Sequence, residues 1–240
     1  MSGSGWALKR FWDAATVAET EAGWAILLDG RPVRTPSKAP LAVPTRALAD
    51  GIAAEWDAQE GHVDPGTMPL TRTANSAIDK VAPETAAVAD MLAEYGATDL
   101  LCYRADTPAE LVARQGAGWQ PWLDWAAATF GARLEVATGV IPVTQDPGAL
   151  AALAAELHAL DPYRLSAAHE FVTLSGSLVL GLAVLKGALP PEEAWTLSRI
   201  DEDWQAEQWG EDEEAAEHAR LKRAAFLDAA RFLRLVSDQD

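Results

Sequence analysis

Two kinds of hydrophobic spacing divide this chain. Up to about residue 45, apolar positions fall in short β-branched and aromatic runs, Phe11 to Thr20 and Trp24 to Leu28, which predict strands. Asp29-Gly30 comes directly after the second run and is a strong two-residue hairpin signal, because both residue types tolerate positive φ. Arg31 to Thr35 is then the return strand, and Pro36, Pro40 and Pro44 punctuate the segment after it. From Thr45 the spacing changes to three and four. Thr45 is placed to cap a helix running to about Glu60, with Leu48, Ile52 and Trp56 successive turns apart on one face. Similar spacing predicts helices over Pro69 to Val81, Glu84 to Tyr95, Pro108 to Arg114, Trp119 to Phe130 and Pro147 to Leu160. A buried helix is expected around Ala167 to Lys186, and two more over Pro191 to Trp209 and Glu211 to Val236. Short extended pieces are expected at Leu100 to Arg104 and Leu134 to Val143. No internal repeat or low-complexity linker interrupts the pattern. The predicted class is α+β: a small N-terminal antiparallel β domain, residues 1–60 and ending in a helix, followed by a larger, mainly α-helical domain over residues 61–240.

Composition narrows the function classes. The 240 residues are 49% apolar and 23% charged, a globular profile with ample material for a core. The longest apolar run, Leu178 to Leu185, is far too short to cross a bilayer, so no membrane insertion is expected. The opening MSGSGWALKRFW has neither the apolar core nor the cleavage site of a signal peptide. Cys102 is the single cysteine, which rules out an internal disulfide and fits a reducing compartment. A net charge of -17 and a pI near 4.5 argue against nucleic acid or anionic membrane as partner, and favour cationic ones. Much of that charge is concentrated. Between Pro191 and His218 stand eleven carboxylates and one base, Arg199, interleaved with Trp195, Trp204 and Trp209. Solvated acidic helices are common, but an acidic rim around large aromatics is what a protein-docking surface needs.

The usual marks of catalysis are missing or weak. Ser175-Gly176-Ser177 lies in an apolar helical run without a G-x-S-x-G context, so close helix packing is the simpler reading. His62, His158, His169 and His218 are scattered, with no metal-ligand spacing. No glycine-rich phosphate loop of either common type is present, so no nucleotide is expected. One enzymatic alternative survives: Asp203 and Glu207 share a helical face and offer two ligands for Mg²⁺ on a helical scaffold. Against it, no second acidic helix faces them. Within the acidic segment, Leu197, Ile200 and Trp204 follow core spacing, whereas Glu202, Gln205, Trp209 and Asp212 fall on a different face. Gly210 is placed to end the helix after Trp209. Trp119, Trp122 and Trp125 at three-residue spacing, and Trp56, read as core anchors, with Glu55, Asp57 and Gln59 solvated or capping.

Six segments in order resemble the Atp12 family of assembly chaperones for the F1 sector of ATP synthase. They are RFWDAATV (Arg10 to Val17), LDGRPVRTP (Leu28 to Pro36), AAEWDAQ (Ala53 to Gln59), MPLTRTANSAID (Met68 to Asp79), TDLLCYRAD (Thr98 to Asp106) and DEDWQAEQWGEDEEA (Asp201 to Ala215). The resemblance implies a small β domain joined to a helical one, and a protein without catalysis, nucleotide or other cofactor. It implies binding of the free F1 α subunit before that subunit joins β, which shields a surface prone to aggregation. Mitochondrial members carry a targeting segment ahead of the RFW motif and act in the matrix. Nine residues precede Arg10 here, so a bacterial, cytoplasmic member is expected. The family's acidic tryptophan segment falls on Glu202, Trp204, Gln205, Glu207, Trp209, Gly210 and Asp212. With Trp204 left to the core, the expected partner-binding set is Glu202, Gln205, Glu207, Trp209, Gly210 and Asp212. A generic interaction module with another client remains the third reading.

Overall fold

A computed structural model describes residues 9–139 and 143–237. The chain forms two compact units, residues 1–83 with 231–240, and residues 84–230. In the first, β1 (Ala15–Thr20) and β2 (Gly23–Leu28) pair antiparallel, and β2 also pairs with β3 (Arg31–Pro32) and β4 (Ala42–Val43). The register Leu28↔Arg31 leaves Asp29 and Gly30 as a two-residue turn with φ of 48° and 77°. That is the positive-φ pair the dipeptide predicts. The Asp29 carboxylate also accepts the backbone N–H groups of Asp13 and Ala14 at 3.0–3.1 Å. Strand pairing therefore begins at Ala15, later than the expected Phe11. Residues 10–13 are held by side chains instead, with the Arg10 guanidinium donating to the carbonyls of Trp12, Asp13, Asp57 and Gln59.

The buried face of β2 (Ala25, Ile26, Leu28) packs with helix α1 (Arg46–Asp57), which buries Leu48, Ala49, Ile52 and Ala53. Thr45 caps α1 by accepting from Leu48 N–H at 3.3 Å, and its hydroxyl donates to the Leu235 carbonyl at 2.6 Å. Helix α2 (Pro69–Ser76), which runs on through a π-helical stretch to Val81, starts from a borrowed cap. The buried Glu55 carboxylate accepts the N–H groups of Leu70 and Thr71 and the Thr71 hydroxyl at 2.7–2.8 Å. This cap ties α2 to α1, and Asp79 then ties the same stretch to the sheet by accepting from the Thr35 hydroxyl and Ser37 N–H. These contacts extend the first unit to residue 83, where the sequence reading ends its β domain at residue 60.

The second unit is helical: α3 (Thr85–Ala93), α4 (Ala109–Phe130), α5 (Pro147–His158), α6 (Pro162–Ser175), α7 (Leu178–Leu185), α8 (Pro191–Ser198), α9 (Ile200–Trp209) and most of α10 (Glu213–Ser237). A 3-10 turn (Leu100–Cys102) leads into β5 (Tyr103–Arg104), which pairs parallel with β6 (Ala137–Thr138). Part of the extended piece expected at Leu134 to Val143 lies outside the described residues. Together the two units make an α+β protein with a small antiparallel sheet followed by helices.

Four helix predictions need correction. Pro108 to Arg114 and Trp119 to Phe130 are one helix, α4, which carries Gly116, Gly118 and Pro121 inside it. Conversely, the expected helix Ala167 to Lys186 breaks at Gly176, whose φ of 71° ends α6 in the left-handed region, and Ser177 caps α7. Pro191 to Trp209 also breaks, at Arg199, into α8 and α9. The core of this unit gathers Trp119, Leu123 and Ala126 of α4, Phe171 of α6, all of Leu178–Val184, and Phe226 of α10. The Phe226 ring lies 5.0 Å from Phe171 and 5.9 Å from Trp195 between centroids.

Candidate partner-binding surface

Helix α9 rests on one strip of α4. Arg114, Gln115, Gly118 and Trp119 stand at i, i+1, i+4 and i+5, so all four lie on adjoining rows of the α4 surface. The fully buried Trp119 donates its indole N–H to the Leu197 carbonyl at 2.8 Å. Gly118 leaves room for Ile200 and Leu197: a Cβ there would stand 2.7 Å from Ile200 Cδ1 and 3.1 Å from Leu197 Cδ2. Gln115, itself buried, donates to Asp201 at 2.6 Å and accepts from the Ala105 N–H at 2.8 Å. Arg114 closes the strip. Its two terminal nitrogens donate to the two Glu207 oxygens, each at 2.8 Å, while its guanidinium lies over the Trp204 ring, 5.0 Å from the centroid. This fork holds the Glu207 carboxyl below its ordinary range.

Ile200 is buried and Leu197 and Trp204 are half-buried, in line with the core spacing read from the sequence. Glu202, Gln205 and Trp209 are exposed on the opposite face, and Trp209 is 79% exposed. Among the exposed large apolar side chains it is the most open, ahead of Phe11 and Leu221. Gly210 ends α9 with a φ of 90°, a conformation that excludes other residues without strain. Asp212 accepts from the Ala215 N–H at 2.8 Å at the start of α10. Glu211, Asp212, Glu213 and Glu214 are all exposed, so carboxylates follow directly behind the indole.

The six expected partner-binding residues thus separate by the work they do. Gln205 and Trp209 face solvent. Glu202 is exposed but meets Arg199 at 2.8 Å. Glu207 is engaged by Arg114, while Gly210 and Asp212 shape the turn between α9 and α10. Two other acidic residues nearby are matched in the same way, Glu192 by Arg223 and Glu217 by Arg220, each at 2.6 Å. Arg114, Gln115 and Gly118, which seat the whole helix, have no part in the sequence reading. Their signal lies in a helix misread as two.

The candidate chemistry resolves into structural roles. Ser175 donates to the Phe171 carbonyl, and Ser177 caps α7 while donating to Asp99. The Asp203–Glu207 pair gains no third ligand: among the described residues no group of three or more His, Cys, Asp or Glu is arranged to hold a metal ion. Burial raises the Asp203 carboxyl, opposed by Arg199, reinforced by Glu207 and opposed again by Arg114. Of the tryptophan triplet only Trp119 is fully buried. Trp122 and Trp125 are half-buried and continue edge-to-face to Phe130, at 6.0 and 5.1 Å. Among the described residues no helix is long and apolar enough to cross a membrane.

Fold and surface together define a two-unit α+β protein that presents an exposed, acid-flanked aromatic at the end of a helix. A family model described as ATP12 chaperone protein matches residues 9–127. The crystal structure of Atp12 from Paracoccus denitrificans is similar at 55% identity and a TM-score of 0.93, covering 95% of this chain and 98% of that one. A protein of Agrobacterium tumefaciens is similar at 48% identity and a TM-score of 0.90, over 94% of this chain and 85% of that one. The mitochondrial protein atp12 of Schizosaccharomyces pombe is 28% identical over 221 residues, 87% of this chain and 76% of the relative. The chain belongs to the Atp12 family of chaperones.

Proposed function

We propose that this protein is an assembly chaperone for the F1 sector of ATP synthase, which holds the free α subunit until it meets β. The observation that carries the reading is Trp209, 79% exposed at the end of a helix whose inner face is fixed, with four exposed carboxylates directly after it. An indole of this size left in water gains most when a partner pocket covers it, and carboxylates beside it attract a basic rim and exclude acidic competitors. A chaperone that must release its client suits such a small aromatic anchor. Charge steers the encounter and the apolar contact sets the residence time. An isolated α subunit has apolar surface that the assembled F1 buries, and uncovered patches of that kind aggregate. The protein acts by binding rather than by turnover, without nucleotide or metal, in the cytoplasm of a bacterial cell.

Co-purification of the tagged chain with free F1 α and, separately, free F1 β from the same organism tests this. Selective capture of α is expected. Equal capture of both, or of neither when both are folded and soluble, rules the reading out.

A further inference from the structure

We infer that Glu207 serves the partner only through Arg114: the two side chains form a clamp that fixes the end of α9 and aims Trp209, and neither touches the client. This rests on the partner-binding reading above. The family resemblance puts Glu207 in the expected partner-binding set with Glu202 and Trp209. The structure turns it toward α4, where both carboxylate oxygens are taken by one guanidinium at 2.8 Å. The same guanidinium covers the Trp204 ring, so Arg114 grips α9 at two positions three residues apart.

The ties elsewhere along α9 set the reach of the clamp. The first turn of the helix is held by Ile200 against Gly118 and by Asp201 bonded to Gln115. Beyond Trp204, the Glu207 fork is the one side-chain hydrogen bond made by the helix among the described residues. The helix then stops, with Gly210 N–H bonded to the Ala206 carbonyl at 2.9 Å. An exposed last turn with no side-chain tie frays readily. Without the fork, Trp209 would sample many positions, and the client would have to select one of them. Ordering of that kind weakens association without removing any contact, by roughly tenfold for a single large side chain and its turn.

The test is a double-mutant cycle on capture of the free F1 α subunit, with Arg114→Met, Glu207→Gln and the double variant. Methionine keeps an apolar stem beside Trp204 and removes the guanidinium, and with it both the fork and its contact with the ring. Glu207→Gln leaves that ring contact in place. A clamp predicts that each single variant binds about tenfold more weakly, and that the double variant binds no more weakly than either single one. Were Glu207 a client contact, Arg114→Met would free it and bind as well as the parent or better, while Glu207→Gln bound weakly. That pattern, or multiplied losses in the double variant, overturns the inference. Hydrogen exchange at the amides of residues 206–210 gives a readout independent of any client. Faster exchange in both single variants, with the unfolding midpoint little changed, is expected, and unchanged exchange overturns the clamp. If the parent protein captures neither F1 subunit, the partner reading fails and the exchange data alone decide the clamp.

Discussion

Asp99 gives the sharpest quantitative test of how the helical unit is held together. Its side chain is fully buried, and its two oxygens accept from Leu101 N–H, the Ser177 hydroxyl and Val179 N–H at 2.8–3.0 Å. It thereby fastens the 3-10 turn before β5 to the first turn of α7. Burial pushes its carboxyl up from 3.8 to about 6, against the pull of those hydrogen bonds. Between these two values the folded chain keeps a proton that the unfolded chain has released. The native state binds more protons, so this contribution to stability is complete below 3.8 and is lost as pH rises through about 6. The whole shift corresponds to about 3 kcal/mol, of which about 2 kcal/mol is lost between roughly pH 4.5 and pH 7.5. The assay is the urea unfolding free energy of the parent and of Asp99→Asn across that window. Asparagine turns an N–H₂ group toward one backbone donor, so the variant is less stable throughout, by about 1–3 kcal/mol. The informative quantity is the gap at low pH minus the gap at high pH. The gap should shrink by about 2 kcal/mol as pH rises, because only the parent has this group to titrate. A constant or widening gap would show that Asp99 is ionised throughout and refute the argument.

Trp209→Ala should leave the unfolding free energy within about 0.5 kcal/mol of the parent, since the ring is solvated. Its capture of F1 α should fall roughly thirtyfold, the loss typical of an aromatic anchor, and undiminished capture would rule Trp209 out as one. Gly118→Val places a branched side chain where a Cβ alone stands 2.7 Å from Ile200 Cδ1, and should cost about 1–3 kcal/mol in thermal unfolding. A parental Tm would mean that α9 shifts aside freely and is not seated as described. The Cys102 thiol is buried, and burial with Asp99 nearby pushes it up to about 12. A disulfide reagent at pH 8 should therefore leave it untouched until urea unfolds the chain, and rapid labelling of the folded protein would contradict its burial.

Much of the fold is legible from local signals because local chemistry decides those parts. The Asp29-Gly30 turn, the Thr45 cap and the three-four spacing of Leu48 and Ile52 each act within a few residues. Misreadings arise where contacts distant in sequence overrule local preference. Gly116, Gly118 and Pro121 look like a helix break, yet the α8–α9 pair packs onto Gly118 and the helix continues through it. The apolar run after Ala167 looks continuous, yet Gly176 and Ser177 stop and restart it because Asp99, far back in sequence, waits to cap the second piece. At the surface, spacing places Trp209 and Glu202 outward correctly. Glu207 enters the expected partner-binding set through the family segment and not through spacing, which sets it at i, i+4, i+7 with Ile200 and Trp204. What spacing does not reveal is its mate, Arg114, ninety-three positions away.

The residues that make this chain recognisable are mostly tethers, and that distinction bears on where its function lies. Arg10 binds four carbonyls, Asp29 two backbone donors, Glu55 the start of α2, Asp79 the loop at Ser37, and Asp99 the start of α7. Each spends its charge on backbone groups of its own chain, so resemblance in five of the six segments is resemblance in how the fold is pinned. The sixth differs in kind. Its inward residues seat a helix and Asp212 caps the next one, but the Trp209 ring stands in water beside a run of exposed carboxylates. The charge follows the same division: residues 1–83 with 231–240 carry ten bases and twelve acids, whereas residues 84–230 carry nine bases and twenty-four acids. Several of these acids cap helices or meet a base, but the excess over bases repels itself, and an indole held in water adds nothing to the fold. On the proposed function, both features are one half of a contact whose other half, basic and apolar, is supplied by the client.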